Sequence, residues 1–139
     1  MKIIKSTLAV IAGIVTGSII NASLIFLCNI IFGSPQGMIP WDEKSVIAHA
    51  DKLTTANFAS ILFAHQAGTM AGAFIAAKIA PFRKMIFALV VGVWFLACGI
   101  YAASLIAPPV GFTVADILLY IPFAIIGGKL GGAQQQTRN

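Results

Sequence analysis

The chain carries four long apolar stretches, and most of its basic residues fall in three groups that lie around them. The groups are Lys2 with Lys5, Lys78 with Arg83 and Lys84, and Lys129 with Arg138. Loops and flanks rich in Lys and Arg stay on the cytoplasmic side of a membrane. All acidic residues lie in or next to the segments between the groups: Asp42, Glu43, Asp51 and Asp116. This pattern predicts an integral membrane protein with both termini in the cytoplasm.

Composition supports this placement and limits the number of crossings. The chain is 59% hydrophobic and 9% charged, against about 45–50% apolar and about 25% charged in soluble domains. Each crossing needs about 20 apolar residues. We therefore predict one all-α domain over residues 1–139, with four transmembrane helices in an antiparallel bundle. The predicted spans are about 4–32, 58–80, 85–107 and 111–130.

The first stretch also resembles a cleavable secretory signal, because basic residues precede an apolar run and small residues occupy positions 21–23. The apolar run continues through residues 24–27. We therefore expect a retained span.

Two segments are expected to lie outside the membrane. Within the loop formed by residues 33–57, residues 41–53 place apolar side chains at helical spacing opposite acidic ones. This favours a short amphipathic helix on the outer surface, with Trp41 at headgroup depth; an ordinary solvated helix is the alternative. The polar tail, residues 134–139, is expected to be mobile.

Residues 73–80 match residues 124–131 position by position, at an offset of 51. Two hairpins of the same direction, as in parallel-repeat membrane folds, would explain the match. Chance, or a shared interface at which both helices end, would also explain it. Under either reading, Lys78 and Lys129 mark one level at the inner boundary.

A layer of polar residues is predicted from this level. His65 and Asp116 each lie thirteen positions before their lysine, or about 20 Å above it at 1.5 Å per residue. The predicted layer comprises Asn21, His65, Cys98, Asp116 and Tyr120. It indicates either a water-accessible pocket, as in a small transporter, channel subunit or lipid-handling protein, or a structural hydrogen-bonded pair. For Asp116 the alternative is a residue that caps or anchors the fourth helix at the interface and pairs with its nearest donor. A metal ion would need further ligands besides His65 and Asp116, and we expect no metal site.

Small residues recur at four-residue spacing in every span, which predicts close helix packing. The glycines predicted to pack are Gly13, Gly17, Gly68, Gly72, Gly92 and Gly128. Pro122 predicts a bend of the fourth helix near Leu118. From these faces we expect a non-enzymatic protein that assembles with itself or with a membrane partner.

Motifs for other chemistry are missing from the sequence. It contains no CxxC pair, phosphate-binding glycine loop, HExxH or GxSxG, so we expect no cofactor and no enzymatic activity. Cys28 and Cys98 are expected to be free thiols, with a disulfide as the alternative in an oxidising compartment. The net charge of +5 suits anionic lipid of the bilayer, not nucleic acid.

Residues 64–80, residues 120–122 and residues 127–130 carry a resemblance. In these segments the chain resembles small four-span membrane proteins encoded in many bacteria, whose function is uncharacterised. The resemblance implies a bacterial inner-membrane location and supplies no catalytic residue.

The predicted topology is tested by cysteine labelling. In a chain whose two natural cysteines are replaced by serine, Lys44→Cys should react with a membrane-impermeant thiol reagent from outside, and Arg83→Cys only after the membrane is opened. Labelling of both positions from the same side would contradict the topology.

Overall fold

A computed structural model describes residues 1–133, and it is entirely helical apart from the connecting segments. The helices are α1 (Lys2–Phe32), α2 (Glu43–Ala48), α3 (Thr55–Ile79), α4 (Lys84–Ile106) and α5 (Val110–Leu130), with a 3₁₀ turn at Ala50–Lys52. Four of them, α1, α3, α4 and α5, are long and apolar enough to cross a membrane. The predicted four-span, all-α fold is confirmed. The tail predicted to be mobile, residues 134–139, lies outside the described residues.

Helix α3 begins one turn earlier than the hydropathy predicts, because a capping box precedes its apolar run. The Thr54 hydroxyl accepts a bond from the Asn57 backbone N–H at 3.3 Å, and the Asn57 Oδ1 accepts one from the Thr54 backbone N–H at 2.9 Å. This arrangement satisfies N–H groups that a helix start leaves without partners. The helix ends at Ile79, since Pro81 disfavours helical geometry in the residue before it.

Helix α3 lies at the centre of the bundle and packs against α1, α4 and α5. A Cβ atom added to Gly72 would lie 2.6 Å from the Gly13 carbonyl oxygen, and one added to Gly68 would lie 2.7 Å from that of Gly17. The backbones of α1 and α3 are therefore too close for a side chain at these positions. Helices in lipid associate through such close contacts, because the lipid tails remove the hydrophobic driving force between them.

Helix α5 packs on α3 and α4 in the same manner. A Cβ atom on Gly131 would lie 2.6 Å from the Phe74 carbonyl oxygen of α3, and one on Gly128 would lie 2.8 Å from the Ala88 Cβ of α4. Gly92 of α4 meets Ala124. All six glycines predicted to pack thus contact a neighbouring helix of the same chain.

Residues related by the offset of 51 contact one another between α3 and α5. Ala73 and Ala124 belong to one buried apolar cluster, and His65 contacts Asp116. Such self-matching contacts are those of two parallel helices related by a two-fold axis that runs between them. Gene duplication remains an interpretation. Helix α5 continues through Pro122, and the bend near Leu118 stays a prediction.

The 33–57 segment contains a shorter helix than the pattern of residues 41–53 predicts. Helix α2 stops at Ala48, because His49 leaves helical geometry at φ −116° and ψ 11° and its ring Nδ1 lies 2.8 Å from the Ser45 carbonyl oxygen. The segment folds back over the bundle. Trp41 lies against Phe26 of α1, with ring centroids 6.4 Å apart, while Val46 and Leu53 turn inward to line a cavity.

Replacing Gly72 with Ala tests the close packing of α3. The added Cβ would meet backbone, so we expect the free energy of unfolding to fall by about 1–3 kcal/mol. The matched control is Gly111→Ala, whose Cβ would have no atom within 4 Å; it should leave stability unchanged or raise it slightly through helix propensity. Unfolding in detergent titrated with sodium dodecyl sulfate measures both, and equal effects would contradict the packing.

Candidate functional site

Three of the predicted polar-layer residues meet between α3 and α5. The His65 Nδ1 atom lies 3.1 Å from Oδ1 and 3.0 Å from Oδ2 of Asp116, and 2.9 Å from the Tyr120 hydroxyl oxygen. The two rings stack with centroids 5.9 Å apart. Asp116 and Tyr120 reach His65 together because residues four apart lie on the same face of a helix.

A fourth residue, Gln66, completes what we call the polar cluster: His65, Gln66, Asp116 and Tyr120. The Gln66 Nε2 atom donates to Oδ1 of Asp116 at 3.0 Å, and the Tyr120 hydroxyl donates to Oδ2 at 3.3 Å. The predicted layer omits Gln66, although its position beside His65 on a polar stretch of α3 indicates that it lies at the same depth. The cluster joins one helix of each hairpin.

The bonding pattern assigns the hydrogen atoms of the polar cluster. Gln66 and Tyr120 donate to the Asp116 carboxyl group, and the His65 Nδ1 atom lies 3.0 Å from its Oδ2. An ionised carboxylate, which only accepts, fits all three contacts when Nδ1 is the third donor. His65 then carries a hydrogen on Nδ1, a tautomer that follows from the network. The other ring nitrogen, Nε2, forms no hydrogen bond within residues 1–133. His65 therefore has one nitrogen held by Asp116 and one available.

Burial makes this carboxylate unusual. Asp116 is 3% exposed, and an ionised group in apolar surroundings is costly unless it is paired and hydrogen-bonded. His65, whose side chain is 16% exposed, forms its ion pair when protonated. The hydrogen bonds from Gln66 and Tyr120 supply the remaining compensation. Asp116 is consequently held in the bundle rather than at its surface, where an anchoring residue would lie.

Gly99 of α4 makes room for the Tyr120 ring. A Cβ atom on Gly99 would lie 2.7 Å from the Cε2 atom of Tyr120, so any side chain would displace the ring. Tyr120 is 2% exposed as a result. On α3, the Thr69 hydroxyl donates to the His65 carbonyl oxygen at 2.8 Å. The contact of Gly99 with Tyr120 could not be predicted, because no sequence pattern links this glycine to an aromatic residue on the next helix.

A partly open cavity of about 150 Å³ lies on the side of the polar cluster that faces the 33–57 segment. Helices α1, α3, α4 and α5 all contribute to its wall, and the 33–57 segment covers it with Met38, Pro40, Val46 and Leu53. Its two ionisable lining residues are His65 and Asp116. A cavity of about this volume lined by apolar side chains accepts a molecule the size of benzene.

The cover is tied to the bundle by Asn57. Its side-chain Nδ2 atom donates to the Gly33 carbonyl oxygen at 2.8 Å, across the gap between α3 and the end of α1. The same side chain forms the capping box of α3 and lines the cavity. Sequence reasoning missed Asn57, because its position at the start of a helix gives no sign of a contact with α1.

The other two residues of the predicted layer do not join the polar cluster. Asn21 lies at the contact of α1 with α3: its Cβ would be 2.9 Å from a Cβ added to Gly68. Its Oδ1 atom is buried and has no hydrogen-bond partner within residues 1–133. Cys98 is exposed on α4, and both it and Cys28 are free thiols, as expected. Depth alone therefore did not determine which side chains meet.

No protein-family model, curated protein or solved structure matches the chain. The class of protein thus rests on the fold. Four helices long and apolar enough to span a bilayer, packed together through small residues, define a multi-pass membrane protein. Its distinguishing feature is a buried carboxylate paired with a partly exposed histidine at the wall of a cavity.

Proposed function

We propose that this is a bacterial inner-membrane protein that binds a small, mainly apolar molecule in a pocket facing the outside of the cell. Both termini lie in the cytoplasm. The distribution of basic residues supports this orientation, and the resemblance of residues 64–80 to small bacterial four-span proteins supports the location. The binding step serves transport or lipid handling, and no catalysis is proposed.

The observation that carries the proposal is the cavity between the polar cluster and the 33–57 segment. Ligand sites are typically concave and apolar, with a few polar groups that fix the orientation of the ligand. Here the walls include Phe58 and Phe112, whose ring centroids lie 5.1 Å apart. His65 and Asp116 supply the ionisable groups, and the other polar lining residues are Asn29, Asn57 and Ser60. The inner ends of α3 and α5, marked by Lys78 and Lys129, lie at the opposite end of the bundle.

A purely structural role for the histidine–carboxylate pair would leave two features of His65 without a use. A pair that only joins α3 to α5 needs the Nδ1 contact and no more. The His65 ring instead lines the cavity, with Nε2 unbonded to residues 1–133 and part of the side chain exposed. An available imidazole nitrogen at a cavity wall can bind a polar group of a ligand.

Self-assembly was predicted from the small-residue faces, and these faces are used within the chain. Gly13 and Gly17 lie against α3, Gly68 and Gly72 against α1, and Gly92 and Gly128 between α4 and α5. Assembly with itself or with a membrane partner remains a second prediction, but the glycines do not support it, because they already pack within the chain. Ligand binding in the cavity is therefore the better supported function.

Binding of benzyl alcohol to the protein in detergent tests the proposal. A ligand that binds only the folded state raises the unfolding temperature saturably, and we expect this for the wild type. Ala103→Phe should abolish the effect by filling the cavity, because Ala103 lines it.

The matched control is Ala97→Phe, on the same helix at an exposed position. It should retain the benzyl alcohol effect. If Ala103→Phe and Ala97→Phe respond alike, or if the wild type shows no saturable shift, the pocket is not a binding site for molecules of this class.

A further inference from the structure

We infer that the ligand of this pocket is a small organic ammonium ion, and that it binds in exchange for the proton carried by His65. The inference rests on the proposed function and specifies its ligand class. It follows from the charge of the polar cluster, from the atom that His65 presents to the cavity, and from the character of the cavity walls.

The charge of the polar cluster is the first step. Asp116 accepts from Gln66 and Tyr120, lies 3.0 Å from the His65 Nδ1 atom and is almost fully buried, an arrangement that fits its ionised form. A buried charge requires an opposite charge nearby. The cavity lining contains no Lys or Arg, so within residues 1–133 no fixed cation shares the site with Asp116. The compensating charge must be either a proton on His65 or a cation that enters the cavity.

The two protonation states of His65 present different groups to the ligand. With a proton on both ring nitrogens, Nε2 is a hydrogen-bond donor and the cluster is neutral. Without it, Nε2 is an acceptor and the cluster carries one negative charge. An ammonium group, which offers N–H donors and a positive charge, fits only the second state. The proton and the ammonium ion therefore exclude each other.

Other titratable groups around His65 do not replace it in this role. From α5, Asp116 and Tyr120 face its ring; from α4, the titratable side chain near Tyr120 is Cys98, which is exposed. The cavity residues that α1 and the 33–57 segment contribute carry no charge, and neither do Gln66 and Thr69 of α3. Histidine is also the side chain that ordinarily changes charge near neutral pH.

The walls select an organic cation over a metal ion. Metal ions such as Na⁺ or Mg²⁺ need several oxygen ligands to replace their water. Most of the lining is apolar, including the Phe58–Phe112 pair. Of the other polar lining side chains, Asn29, Asn57 and Ser60, the last two are already hydrogen-bonded to the chain. An ammonium ion with an apolar body of about benzene size leaves its body in this lining. Its charged end then reaches Nε2 of His65, and the displaced proton leaves through the open side of the cavity.

The test compares three ligands of one size and different charge: benzylammonium, benzyl alcohol and benzoate. Dissociation constants are measured by nuclear magnetic resonance titration of the protein in detergent between about pH 6 and about pH 8. The lysine ammonium group titrates near about 10.4; the phenyl group gives benzylammonium a lower pKa, which still lies above this range, so the ligand stays mainly charged. While His65 is mainly protonated, the affinity for benzylammonium should rise by up to about tenfold per pH unit. Benzyl alcohol should show no such slope, and benzoate should bind most weakly.

Two variants separate the roles of the pair. His65→Asn keeps a side-chain N–H for Asp116 and removes the titrating group, so benzylammonium binding should lose its pH slope. Asp116→Asn removes the charge, so benzylammonium should bind no better than benzyl alcohol. The control is Asp51→Asn, which removes a carboxylate from the exposed 33–57 segment and should leave both results unchanged.

The outcomes distinguish this inference from the proposed function. If the wild type binds benzyl alcohol as tightly as benzylammonium, with no pH slope for either, the exchange is wrong while the pocket remains a binding site. If none of the three ligands binds, the proposed function fails as well. If Asp116→Asn does not fold, the two wild-type measurements, the relative affinity for the three ligands and its pH dependence, still test the inference.

Discussion

A carboxylate buried in an apolar bundle is the constraint on which the rest of this structure depends. Asp116 is satisfied only where His65, Gln66 and Tyr120 can all donate to it. Two of these donors come from α3, so the contact fixes both the level and the rotation of α3 against α5. Because leaving such a group without partners is costly, this arrangement is favoured over neighbouring alignments of the same two helices.

Close helix packing makes the contact between His65 and Asp116 possible, and a cavity lies beside this contact. Glycines on α1, α3, α4 and α5 bring the helices together at backbone distance in the half of the bundle that holds Lys78 and Lys129, and Gly99 makes room for the Tyr120 ring. Beyond the polar cluster a cavity lies between the four long helices, and the 33–57 segment covers it. The cavity therefore begins at the level where the ionisable pair lies, which gives the pair a route to a ligand.

The spans and the depth of the ionisable pair could be predicted from the sequence. The predictions that were wrong concern which side chains meet, and they share one cause. Hydropathy and charge gave the spans, and counting from Lys78 and Lys129 placed His65 and Asp116 at one depth. Depth does not give the direction of a side chain around its helix, so Asn21 and Cys98 were grouped with them although one faces α3 and the other is exposed. The cavity cover depends on contacts across the chain, such as Asn57 with Gly33, which no local pattern encodes.

The central claim is that His65 and Asp116 form one interacting unit, and a double-mutant cycle measures this directly. Unfolding free energies in detergent are compared for wild type, His65→Ala, Asp116→Ala and the double variant. Residues in contact are non-additive, and for this charge-assisted bond we expect a coupling of about 1 kcal/mol or more, near the upper end for pairs within membranes. Additivity within about 0.3 kcal/mol would contradict the account.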